Sequence, residues 1–450
     1  MASTEQPERT QSIRRVVAAS FIGTTIEWYD FFLYGTAAAL VFNKLFFPKA
    51  EPSSGTLLAL ATYGVGFAAR PLGGIIFGHF GDRIGRKAML VLSLLIMGVA
   101  TFLIGVMPTY AAIGIWAPVI LVALRIAQGI GVGGEWGGAV LMSVEHAPPG
   151  RRGFFGSWPQ MGVPAGLFLS TVVFLIVQQT TSDAAFLAWG WRVPFLLSAV
   201  LVGVGLFVRL RLYESPAFQR VKQTRTEAPM PILDVLRKYP REVLLAMGMR
   251  IAENGTFYIL TVWVLVYGHE DLQLAKSTML WGVVIAALIG LVTIPWYGAL
   301  SDRVGRRPLY LGGALFSLVF AFPFFWLVNT KTEALIWLAI VLGVNVGHDL
   351  MYGPQAAFFS ELFGTRVRYS GASLGYQLAS VLAGGFAPLV AAALLQAWGW
   401  PAVALYMAAM AAVTVAATLL ATETYQRDID TDDQREQELV AAGPTPRGRG

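Results

Sequence analysis

Apolar runs of about 20 residues follow one another along most of this chain, separated by short polar connections. A run of that length crosses a hydrocarbon core of ~30 Å. In lipid each backbone N–H and C=O must be paired within its own segment, so the runs are expected to be helices. Charge is too sparse for a water-facing alternative. Only 13% of the 450 residues are charged and 56% are hydrophobic, whereas a soluble domain carries about 25% charge. The 48 glycines and 23 prolines would weaken helices in water. In membranes they are tolerated, because small residues permit close packing and neighbours satisfy freed backbone groups.

Twelve spans are expected, at 16–42, 56–79, 88–107, 114–144, 154–178, 191–210, 242–268, 277–299, 308–328, 334–361, 370–397 and 400–421. Of the 33 lysines and arginines, 25 fall on one set of loops, 5 on the other and 3 within spans (Arg70, Arg125, Arg250). The positive-inside rule then places both termini and the long connection 211–241 in the cytoplasm. The net charge of +6 is read as this topology signal and not as a nucleic-acid surface. The chain contains no cysteine, which removes disulfides, thiolate metal sites and cysteine catalysis. No cleaved signal peptide is expected after the polar start Met1–Ser12.

The connection 211–241 divides six spans from six, and the halves repeat. Residues 78–87 read GHFGDRIGRK and residues 298–307 read GALSDRVGRR, each after the second span of its half. A weaker echo links the text around Glu145 with that around Glu361. Such six-helix repeats, related by an axis along the membrane normal, are a transporter architecture. The organisation expected is a cytoplasmic segment 1–15, a first half 16–210, the linker 211–241, a second half 242–421 and a disordered tail 422–450.

Ionisable groups at membrane depth are costly, so each needs a reason. Glu27 and Asp30 lie in span 1, Arg125 and Glu135 in span 4, Arg250 and Glu253 in span 7, His348 and Asp349 in span 10. Spans 3, 5, 6, 8, 9, 11 and 12 are read as carrying no charge at depth. Every third helix is thus marked, and these helices are equivalent under the repeat. Residues three, four or seven apart share a helix face, so Arg125 with Gln128, Arg250 with Glu253 and Asn254, and His348 with Tyr352 form polar stripes expected to line one cavity. Trp28, Trp136, Gln160, Tyr258 and Tyr376 are candidate walls, and Arg125 and Arg250 candidate anion-binding groups. The alternative is a set of salt bridges that only hold the bundle. In the repeated loops, Gly78, Asp82, Arg83, Gly85 and Arg86, and Asp302, Arg303, Gly305 and Arg306, are expected to form gating latches with Glu145, Arg152 and Glu361. A carboxylate there can cap a helix N-terminus and pair with arginine.

Two motif matches are set aside. Gly129, Gly131 and Gly134 match GxGxxG, but a dinucleotide site needs a preceding strand; these glycines are read as helix packing. Gly371, Ser373 and Gly375 match GxSxG without the strand–turn–helix that an elbow requires. There is no Walker A and no metal motif, so no cofactor, no metal and no catalytic residue is expected.

The paired DRxGR loops resemble those of the major facilitator superfamily, and more narrowly its metabolite:proton symporter family, the shikimate-type branch above all. The stretches Glu27-Trp-Tyr-Asp30-Phe-Phe, Arg70-Pro-Leu-Gly-Gly, Arg125 to Gly138, Trp189-Gly-Trp-Arg192-Val-Pro-Phe and Arg366-Val-Arg-Tyr-Ser-Gly371 carry the likeness over about residues 14–424. The resemblance implies proton-coupled import by alternating access. It also implies that Asp30 pairs with Arg125 and takes up the proton; Glu27, one turn away, departs from that pattern as an alternative carrier, and Glu135 and Glu253 are further candidates. The expected partners are a small organic acid or zwitterion, H⁺ and the lipid bilayer of a bacterial inner membrane, with no nucleic acid, the chain acting as a monomer. A facilitator, a proton-antiport exporter and a non-transporting sensor are the other readings.

Overall fold

The computed structural model describes residues 13–50, 52–84, 86–145, 147–210, 231–363 and 368–426. Twelve helical spans carry them. In the first half these are α1 Ile13–Ala37, α2 Pro52–Ile84, α3 Arg86–Val106, α4 Trp116–Gly133 with its continuation Trp136–Glu145, α5 Arg152–Thr180 and α6 Arg192–Leu210. In the second half they are α7 Pro240–Tyr258, α8 Lys276–Val304, α9 Arg306–Asn329, α10 Glu333–Val341 running on through Asp349–Leu362, α11 Arg368–Ala379 running on through Ala387–Trp398, and α12 Trp400–Leu420. A short helix, Pro231–Lys238, precedes α7. No strand occurs among the described residues.

Ten of the spans are long and apolar enough to cross a membrane on composition alone. The exceptions, α1 and α7, are equivalent under the repeat. Every residue from Ile26 to Phe42 and from Ala252 to Gly268 is buried. These two helices therefore run inside the bundle and need no lipid-facing surface, which frees them to carry charge. Both pass from α- to π-helical hydrogen bonding at matched places, Ala38–Phe42 and Ile259–Trp263. A π-turn inserts a residue and re-aims the side chains beyond it.

The halves meet along two seams. At the end of the molecule holding the α2–α3 and α8–α9 loops, here called the motif end, α5 packs against α8 and α10. There Gly153 and Gly298 face each other so closely that a Cβ on Gly298 would stand 2.6 Å from the Gly153 carbonyl oxygen. At the opposite end α2 packs against α11. A Cβ on Gly64 would stand 2.9 Å from the Gly385 carbonyl oxygen. Small residues let backbones approach at these crossings, so neither end is held apart.

The fourth span runs through from Trp116 to Leu141, with a turn at Gly134 and Glu135 in a glycine-rich stretch that has little helical preference. One expectation is corrected. The tail does not lose structure at 422, because Glu423 accepts from the backbone N–H groups of Arg306 and Arg307, each at 3.0 Å. Those donors open α9, where a carboxylate is favoured. The rest of the tail, 427–450, lies outside the described residues, as do 1–12 and 211–230.

Candidate functional site

Between the halves lies a narrow, partly open cavity. The first half contributes Glu27 and Trp28 of α1, Arg70 of α2, Glu135 and Trp136 at the α4 turn, and Gln160 of α5. The second half contributes Tyr352 of α10 and Tyr376 and Gln377 of α11. Trp136 and Tyr376 stack across the seam at 3.8 Å. Trp136 Nε1 donates to Gln160 Oε1 (3.0 Å), and Gln160 Nε2 donates to the Tyr352 carbonyl (3.3 Å). Of the expected wall residues, Trp28, Trp136, Gln160 and Tyr376 are here.

The charges divide differently from the sequence pattern. Arg209, at the last turn of α6, bends inward and bonds both Glu27 Oε1, at 3.1 Å, and Glu135 Oε1. All three groups are buried. Sequence alone counts Arg209 with the loop charges and α6 as uncharged; the structure overturns both. A long side chain at a helix end can reach water or fold back along the bundle, and only packing decides which.

The implied Asp30–Arg125 pair is not formed. Asp30 accepts from Ser198 Oγ of α6 at 2.6 Å, and its other oxygen meets no partner. Arg125 donates to Gln128 Oε1 (2.9 Å), and Gln128 Nε2 donates to Thr101 Oγ1 (2.7 Å) beside Asp30. The Arg125 guanidinium is otherwise enclosed by the rings of Phe31 (4.1 Å), Tyr34 (4.2 Å) and Tyr63 (4.7 Å). Aromatic rings attract its charge and stand where a carboxylate would have to sit.

In the second half the expected groups gather, but beneath the cavity wall. Glu253 accepts from Arg250 (2.7 Å), from Gln355 (2.9 Å) and across a 3.1 Å contact with His348 Nε2. His348 Nδ1 meets Asp349 Oδ1 at 2.8 Å, and Asp349 accepts from Asn345 (2.8 Å) and Thr293 (2.5 Å). The π-helical stretch Leu342–His348 ends at this point and brings two successive polar residues inward. Arg250 lies 3.2 Å from the Tyr376 ring centre, so Tyr376 separates it from the cavity. Arg125, Gln128, Arg250, Glu253, Asn254, Tyr258, His348 and Asp349 are all buried but do not line the cavity. Helix α7 contributes nothing to the lining; α2, α5 and α11 do.

Contacts join the two halves at both ends. At the motif end Asp302 accepts from the backbone N–H groups of Gly153 (2.8 Å) and Phe154 (2.9 Å), in the first turn of α5. Arg306 bonds Asp302 (2.7 Å) and Glu361 (3.3 Å), and Arg152 lies 3.9 Å from Glu361. These contacts bring together Asp302, Arg306, Arg152 and Glu361 of the expected latch, and they cross between halves. Thr424 adds a bond to Glu361 at 2.7 Å. Gly305, between α8 and α9, has φ +104°, which a side chain would strain; Arg303 is exposed. Gly85 lies outside the described residues, as do the side chains at Gly78, Asp82, Arg83, Arg86 and Glu145. At the opposite end Tyr258 meets Phe31, Tyr63 and Phe67, the last at 5.0 Å. Further out, Glu270 of the second half accepts from Thr56 (3.0 Å) and Asn43 (3.3 Å) of the first. Burial pushes the Glu270 carboxyl up from its usual range.

The GxGxxG glycines pack helices: α4 meets the α2 backbone at Gly129 and Phe77 at Gly134, and a Cβ on Gly131 would stand 3.1 Å from the Ser93 carbonyl. Ser373 is helical. No group of metal-ligating side chains occurs among the described residues.

A cavity at the seam of two six-helix halves that meet at both ends is the architecture of an alternating-access carrier. The model of the Major Facilitator Superfamily matches residues 20–384. The chain belongs to that superfamily. This major facilitator is 44% identical over 429 residues to the shikimate transporter of Escherichia coli (strain K12), covering 93% of this chain and 98% of that one. It is 43% identical to the inner membrane metabolite transport protein YhjE of the same organism, covering 93% and 96%. The E. coli (strain K12) proline/betaine transporter is 37% identical, covering 85% of this chain and 78% of the other. Among solved structures, the proton:xylose symporter XylE bound to 6-bromo-6-deoxy-D-glucose superposes with a TM-score of 0.75 at 18% identity, covering 94% and 98%. The inward-open xylose transporter XylE from E. coli gives 0.69 at 18%, covering 94% and 100%. At that identity the superposition speaks for the fold alone. This major facilitator is a multi-pass membrane transporter of small solutes and not an enzyme.

Proposed function

We propose that this transporter imports a small organic acid or zwitterion, of the shikimate-like or dicarboxylate kind, together with a proton. It works across a bacterial inner membrane with the motif end and both termini in the cytoplasm. The observation that carries the reading is one arginine, Arg209, shared by two buried carboxylates, Glu27 and Glu135, at the edge of the cavity between the halves.

Two ionised carboxylates against one cation leave an excess negative charge on a buried group of side chains. Such a charge is costly unless paired or neutralised. A proton on the pair removes it. With Arg70 included, the cavity is neutral when both carboxylates are ionised and positive once the pair is protonated. A protonated cavity attracts an anion, and a bound anion favours the proton. By linkage each raises the other's affinity by the same factor. The proton therefore belongs in this reading to Glu27 and Glu135, with Asp30, joined to Arg125 only through Gln128 and Thr101, as a second protonatable position. The motif-end latch and the Tyr258 plug supply two gates that open in turn.

Reconstituted vesicles test this. Radiolabelled small carboxylates should accumulate above equilibrium when the outside is made acidic, and an uncoupler should abolish the accumulation. Uptake that stops at equilibrium whatever the pH gradient would leave a facilitator, and acid-driven efflux an exporter.

A further inference from the structure

Arg70 is used by none of the latches and none of the carboxylate clusters. It is fully buried, and it lines the cavity. Its guanidinium faces are covered by Phe67 (4.1 Å), Phe31 (4.3 Å) and Trp28 (5.2 Å). Stacking satisfies the faces of a guanidinium and leaves its N–H edge to find partners in the plane. Here that edge has none: Nε and Nη2 make no hydrogen bond, and no carboxylate among the described residues lies within 4.0 Å. Nε and Nη2 are the two donors whose spacing matches the two oxygens of a carboxylate.

Another group at the same cavity is also incomplete. Gln377 Oε1 has no partner, although Gln377 Nε2 is bound to the Gly133 carbonyl at 3.0 Å, and the Tyr376 hydroxyl has the Tyr352 hydroxyl beside it. A ligand that completes this set offers a carboxylate to Arg70 and at least one hydroxyl to Gln377. Trp28, Trp136 and Tyr376 make the remaining wall flat and apolar, which favours a compact, ring-like body over a long flexible one. Arg125 also has an unbonded edge, but rings enclose it and it does not line the cavity.

We infer that Arg70 of α2 is the residue that receives the substrate carboxylate, and that the substrate is a compact, hydroxylated monocarboxylate. The inference rests on the organic-acid reading above and sharpens it. The carboxylate takes the in-plane edge of Arg70, so one charge is neutralised beside the carboxylate pair that holds the proton. A methyl ester keeps the body and the hydroxyls but loses the charge and one acceptor. Arg70 is therefore the place where acid and ester are told apart.

The experiment is a two-by-two comparison on the purified full chain. Binding is read by tryptophan fluorescence or calorimetry for shikimate and for D-glycerate, each against its methyl ester. In the unmodified protein the acid should bind at least about 30-fold more tightly than its ester, the range in which losing one member of a buried charge pair falls. Arg70→Gln should erase that preference by weakening the acid while shifting the ester by less than about 3-fold; the non-additivity isolates the pair. Arg70→Lys keeps the charge without the fork and should retain part of the preference. It also serves if the glutamine variant does not fold. An acid-to-ester ratio unchanged in either folded variant overturns the role of Arg70 while leaving acid transport standing. Binding of neither acid by the unmodified chain overturns the substrate class. Acid binding with Arg70-dependent preference, but uptake indifferent to pH, sinks proton coupling and leaves Arg70 in place.

Discussion

The two halves bury similar numbers of ionisable groups and treat them in opposite ways. In the second half Arg250, Glu253, His348 and Asp349 form one network in which both carboxylates and both imidazole nitrogens have partners and Arg250 donates through Nε and Nη1. In the first half lie the fully buried charged atoms without a hydrogen bond among the described residues, on Asp30, Arg70, Arg125 and Glu135. A satisfied network is rigid, and removing one member leaves the others stranded. Unsatisfied groups are a standing cost that a proton or a solute can relieve. The second half thus looks built to hold shape, and the first to bind.

The largest expected effect breaks this contrast if it is absent. Glu253→Ala strands Arg250 and His348, and loss of one partner in a buried ionic cluster costs about 3–5 kcal/mol. Thermal unfolding should show a severe loss of folded protein; near-normal stability would mean the network is no scaffold. Next comes Glu135→Gln, which keeps an acceptor for Arg209. It should leave the protein folded, with uphill uptake reduced by about tenfold or more, or about 1.4 kcal/mol, while exchange continues. If the two variants behave alike, the division between halves fails.

A smaller effect is expected at the motif end. Asp302→Asn removes the charge that caps α5 and should favour opening by about 1–2 kcal/mol. The chain is free of cysteine, so a single Ala139→Cys substitution reports on cavity access. Its thiol labelling from the motif side should rise about 5- to 30-fold in the Asp302 variant; an unchanged rate would remove Asp302 from the latch.

The smallest effect concerns Glu270 at the other end. Burial raises this carboxyl in the closed form, Thr56 opposes the shift, Asp271 adds to it, and Lys44 and Lys276 oppose it; His269 lies beside it in sequence. The closed form therefore binds the proton more tightly. Closure at this end should be fully favoured below the ordinary carboxyl range and weaken as pH rises through the raised value, by less than about 1 kcal/mol. Glu270→Gln should flatten that pH dependence in a labelling assay; a slope that survives assigns it elsewhere.

Much was legible in the chain because lipid imposes simple demands. Twelve apolar runs, the loop repeat and the helical reading of GxGxxG all follow from segment length and small-residue spacing. Trp28, Trp136, Gln160 and Tyr376 reach the cavity, and Asp302, Arg306, Arg152 and Glu361 meet across the seam. The charged stripes were visible as well, but not their partners. Helical spacing reports which residues share a face and not which neighbour fills it; the family resemblance pairs Arg125 with Asp30 and position along the chain makes Arg209 a loop charge, and packing gives both other partners. Arg70 stood out as a charge within a span, yet nothing in its surroundings along the chain marked it as the cation of the cavity.

The amino-acid sequence by itself determined that this is a twelve-span, two-half membrane transporter, because hydrophobic length, charge asymmetry and internal repetition are properties of the chain read in order. Which charges are paired, which are left open and which face the cavity was decided only by the tertiary structure. The inward turn of one arginine at the end of α6 moves a guanidinium by the width of a side chain. At that range, contact geometry outweighs position in the sequence.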